Sequence, residues 1–78
     1  MTPADRMLLE IDRQLKAKRQ TNPNIKLTLN LGLITGFAVA GKTLVAHKPG
    51  EGFILVKEGA SESFIATSAI VVITPKWS

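Results

Sequence analysis

Hydrophobic and polar positions recur with two different periods along this chain. Over residues 2–20, Ala4, Met7, Leu8, Ile11 and Leu15 repeat at helical spacing. They fall in one apolar wedge about 100° wide, which predicts an amphipathic helix. Thr2 suits its cap, Pro3 its first position and Asp5 the positive end of its dipole. Lys16, Lys18 and Arg19 crowd its last turn, where they serve either as helix-end cations or as RNA contacts. Pro23 breaks the pattern. From Ile25 the period becomes two: Ile25, Leu27, Leu29, Leu31 and Leu33 alternate with Lys26, Thr28, Asn30 and Gly32, as in a half-buried strand.

The chain is expected to turn near Gly32 and to return through Thr35, Phe37 and Val39, with Gly36 bending the return strand. Residues 43–47 read as extended, and Lys48-Pro49-Gly50-Glu51-Gly52 is a strong turn signal. Short strands follow at 53–57, 63–66 and 69–74, the last two joined by Thr67 and Ser68. Pro75 is expected to stop the sheet and leave 75–78 as a tail. Phe37, Phe53 and Phe64 fall at strand positions and are expected in the core, while Trp77 suits either a base stack or a subunit seal. The pattern amounts to one mainly β domain over 1–78: a helix at 2–20, then barrel strands within 25–74.

Composition narrows the function classes. Seventy-eight residues stand near the lower size at which one core holds a fold. No cysteine is present and histidine occurs once, so neither a disulfide nor a thiolate or histidine-cluster metal site is expected. With 45% hydrophobic and 21% charged residues the chain is too apolar for disorder, and the surplus suggests burial against other copies. The formal charge of +4 suits an anionic partner such as nucleic acid. The longest uncharged run, 27–41, is shorter than the ~20 residues of a spanning helix, and no signal peptide opens the chain. A cytoplasmic protein without a membrane segment is expected.

One motif misleads. Gly36-Phe-Ala-Val-Ala-Gly41-Lys42-Thr43 matches the phosphate-binding pattern GxxxxGK[ST] letter for letter. A true phosphate loop needs a helix starting at the lysine, and Pro49 follows too soon. The letters between the glycines suit a strand, and no later strand ends in an aspartate for magnesium. Nucleotide hydrolysis is not expected. Nor is other catalysis: His47 has no cysteine partner, and its acid would have to come from the helix. Beside Lys48 in a turn, His47 reads as a surface residue or a ligand contact. No enzyme activity and no cofactor are expected.

A helix followed by a short, strongly bent five-stranded antiparallel barrel resembles the Sm/Lsm family, and in particular its bacterial Hfq branch. LLEIDRQLKAKRQ leads into IKLTLNLG as the Hfq helix leads into its first strand. FILVKEGASESFIATSAIVVITP, residues 53–75, can be laid on the last three Hfq strands without a gap. The likeness departs at the nucleotide site. Hfq carries a Lys-His pair that contacts uridine-rich RNA at the central pore, where this chain has Thr67 and Ser68. The Asp and Asn of the first Sm motif and the Arg-Gly of the second are absent, and residues 41–52 read as an insertion.

The resemblance implies a homo-oligomeric ring, because in Sm-like proteins the fourth strand of one subunit pairs with the fifth of the next. The residues independently require some cover, since 63–75 carry no charge and would expose an apolar edge. Two functions remain in view. One is a ring holding single-stranded or uridine-rich RNA through Lys42, His47, Lys48, Thr67 and Ser68. The other is a structural ring on the same scaffold without RNA.

Overall fold

The computed structural model describes residues 1–78. Helix α1 (Pro3–Arg19) begins with a reciprocal capping box. The Asp5 N–H donates to Thr2 Oγ1 at 3.3 Å, and the Thr2 N–H donates to Asp5 Oδ2 at 3.0 Å. Ala4, Leu8 and Ile11 form its buried stripe, while Lys16, Lys18 and Arg19 oppose the negative end of the dipole. Lys18 Nζ lies 5.1 Å over the Trp77 ring, which ties the helix end to the last strand.

Five antiparallel strands follow: β1 (Leu27–Leu33), β2 (Ala38–His47), β3 (Phe53–Glu58), β4 (Ser61–Ala66) and β5 (Ile70–Trp77). A 3₁₀ turn, η1 (Thr67–Ala69), joins the last two. The strands lie in the order β4-β3-β2-β1-β5. Strand β2 makes the bend, pairing with β1 through Ala38, Val39 and Lys42 and then with β3 through Thr43, Leu44, Ala46 and His47. The sheet therefore curls into a small barrel, open between β4 and β5. A helix ahead of a strongly bent five-stranded barrel is the architecture expected.

The glycines hold different posts from those expected. The chain turns at Ile34, Thr35 and Gly36, where Gly36 takes φ +92° and its N–H donates to Leu33 O at 2.9 Å. Gly32 does not turn. It lies inside β1, where an added Cβ would meet Val72 Cβ at 3.2 Å. The strand bend belongs to Gly41, at φ +67°, in a bulge of β2 between Val39 and Lys42. Its N–H donates to Asn30 Oδ1 at 3.0 Å. The insertion expected over 41–52 is thus largely the second half of β2, and the loop proper is only 48–52.

Pro75 does not stop the sheet either. β5 runs on to Trp77, with Pro75 opposite Leu29. Lys26 and Ser78 exchange both backbone bonds, so alternation makes Leu29–Pro75 a pair without ladder bonds. The missing N–H therefore faces the free edge of β5, where it breaks nothing.

The core joins Ala4, Leu8 and Ile11 of α1 to Leu29, Leu31, Ile54, Val56 and Ile70 of the barrel. The three phenylalanines expected there are outside: Phe37, Phe53 and Phe64 are 73%, 45% and 72% exposed. Adjacent strand residues face opposite ways. Ile65 is half-buried and packs on the core beside Ile54, so its neighbour Phe64 points outward. No helix is long and apolar enough to cross a membrane.

Candidate nucleic-acid interface

The loop 48–52 and η1 meet at one end of the barrel. The Thr67 N–H donates to Gly52 O at 3.0 Å, so the β2–β3 connection and the β4–β5 connection are held side by side. Lys48 and Ser68 are exposed there. Thr67 is buried, and its Oγ1 has no hydrogen-bond partner. Lys42 lies farther back on β2, with Nζ donating to Glu58 Oε2 at 2.7 Å. That bond holds the Glu58 carboxyl below its ordinary range. The phosphate-loop letters thus occupy a turn and a strand, and their lysine is spent on a neighbouring strand.

His47 is not a surface residue. It ends β2 with its ring inward, Nε2 lying 2.7 Å from Asp5 Oδ1. The two side chains are 8% and 1% exposed, so the pair is sealed between the helix start and the sheet. The His47 bond lowers the Asp5 pKa most, followed by the Thr2 backbone N–H; burial opposes them, and the value settles at about 2. Asp5 is then a carboxylate, an acceptor only, so His47 Nε2 carries the proton it donates. This pair fastens α1 to β2 across a sequence separation of 42. The other Asp5 oxygen, Oδ2, accepts from the Thr2 hydroxyl at 3.0 Å. No group of three or more His, Cys, Asp or Glu side chains is placed to hold a metal.

Next to the loop lie two residues assigned to the core by sequence. Phe53 and Phe64 face each other across β3 and β4, ring centroids 5.6 Å apart and planes at 78°. With Lys48, Leu55, Ala46 and Glu51 they line a shallow cleft of about 250 Å³. Its chemistry is an apolar, aromatic floor with one ammonium and one carboxylate at the rim. Exposed aromatic faces of this kind are ones on which flat rings stack. FILVK and SFIA carry part of the signal: adjacent strand residues lie on opposite faces, so Phe53 and Ile54, like Phe64 and Ile65, cannot share the core face.

No family model matches the chain, and no curated protein or solved structure matches it.

Proposed function

We propose that this chain is an Sm-like, cytoplasmic RNA-binding subunit that assembles through β4 and β5 into a homo-oligomeric ring and holds single-stranded RNA. The observation that carries the reading is the solvent-facing Phe53–Phe64 pair beside Lys48, at the end where loop 48–52 meets η1. Bases stack on the aromatic floor, Lys48 neutralises phosphate and Ser68 offers a hydroxyl. Ring assembly is supported by the strand order, which leaves β4 and β5 as the outer strands. Phe64 on one edge and Val71 and Val72 on the other are all more than half exposed. A neighbouring copy that pairs β5 with β4 completes the backbone hydrogen bonding of both edges and leaves the Phe64 ring on its own face of the sheet.

A specific observation favours the second reading, a structural ring without RNA. Of the expected RNA contacts, Lys42 is bound to Glu58, His47 to Asp5, and Thr67 is buried. Titration with short U-rich, A-rich and mixed RNAs at two salt concentrations separates the readings. RNA binding should weaken as salt rises, and Phe53→Ala should lower affinity by about tenfold, the scale of one lost base stack. An assembled wild type that binds none of the RNAs would overturn the RNA reading and leave the structural one.

A further inference from the structure

β1 and β2 separate after the Leu29–Lys42 pair, and β2 then gives its hydrogen bonds to β3. Over residues 43–47 the other edge of β2 has no strand pairing with it. A groove of about 600 Å³ runs along that edge, between residues 25–28 of the diverging strand and the Leu9, Asp12, Leu15 and Arg19 side of α1. From Leu9 to Arg19 the helix advances about 15 Å at 1.5 Å per residue. An extended chain covers that length in about five residues, matching the free edge of β2. Leu9 and Val45 expose 43% and 45% of their surface along it.

Charge indicates what kind of chain fits. Arg19 and Lys26 line the groove, and neither belongs to an ion pair of the protein. Asp12, the acid on the wall, is already neutralised by Lys16 at 3.0 Å. We propose that this groove binds an extended acidic peptide, which adds as a strand to the free edge of β2 and sets its carboxylates against Arg19 and Lys26. Main-chain bonds to residues 43–47 supply the affinity. Alternate apolar side chains fall against Leu9, Leu15 and Leu44, and the two cations select acidic over basic sequences. This site is separate from the Phe53–Phe64 cleft, so it stands or falls independently of RNA binding.

The test uses the full chain and a synthetic peptide of about six residues alternating valine and glutamate, long enough for the groove. Amide NMR shifts should concentrate at 25–28 and 43–47, with slowed exchange of the β2 amides. The same peptide N-methylated at alternate amides, and its lysine counterpart, should each bind about tenfold more weakly or worse. Arg19→Gln combined with Lys26→Gln should weaken the acidic peptide similarly while leaving the other amide positions unchanged. Equal binding of the N-methylated peptide, no peptide binding, or selective shifts with decanoate alone would overturn the proposal. So would a U-rich oligonucleotide shifting these same amides while the peptide does not.

Discussion

The helix-covered end of the barrel and its two outer strands use the same kinds of side chain and leave them in opposite states. Under α1, Leu8, Leu29, Leu31, Ile54 and Val56 are sealed, and the polar pair inside, Asp5 and His47, is joined at 2.7 Å. Along β4 and β5, Phe64, Val71 and Val72 stand in solvent without strand partners on their outer side. One region has spent its apolar surface on making the fold. The other leaves its apolar side chains in solvent and its backbone edges unpaired.

The comparison breaks most visibly in stability. Leu8→Ala should cost about 2–5 kcal/mol, because it opens a cavity where helix meets sheet. Phe64→Ser, read by urea unfolding at concentrations low enough for single chains, should cost about 1 kcal/mol, the scale of its edge contact with Phe53. Equal losses from the two substitutions would erase the distinction between sealed and open regions.

A smaller effect sharpens the sealed side. Asp5 titrates at about 2 in the folded protein against an ordinary 3.8. A lowered folded value means stability that is fully present above 3.8 and is lost as pH falls through about 2. Glu10 and Glu58 also titrate low, held by Arg13 and Lys42, but both are half or more exposed and contribute less. Asp5→Asn should therefore flatten the acid limb of an unfolding-versus-pH curve more than Glu58→Gln does. An unchanged slope in Asp5→Asn would contradict the sealed bond to His47.

Sequence legibility divides along the same line. The helix was readable because its information is local: Thr2, Pro3 and Asp5 at one end, a stripe of Ala4, Leu8 and Ile11, and bases at the other end. Strand number and the turns at 48–52 and Gly59 were readable from turn chemistry. The first hairpin was misplaced because Gly32, Gly36 and Gly41 look alike in letters. Their posts are set by tertiary facts: Val72 crowding Gly32, and β2 bulging at Gly41 just before it changes partners between Lys42 and Thr43. Pro75 was misread because its tolerance depends on lying at an outer edge, which strand order alone decides. His47 found its acid 42 residues away, and no spacing rule predicts such a pair. The Phe53–Phe64 floor is hidden for a different reason: an aromatic side chain in a strand suits the core and an outward face alike, and only the strand's facing decides.

The most direct measurement is the native mass of the wild-type chain by sedimentation equilibrium. Closed assembly through β4 and β5 predicts a single multiple of the 8.4 kDa chain that stays constant over a broad concentration range. It also predicts that Val72→Asp, on the outer strand β5, dissociates that species. An 8.4 kDa monomer at high concentration would contradict it, leaving the open edges without the partner they are inferred to meet.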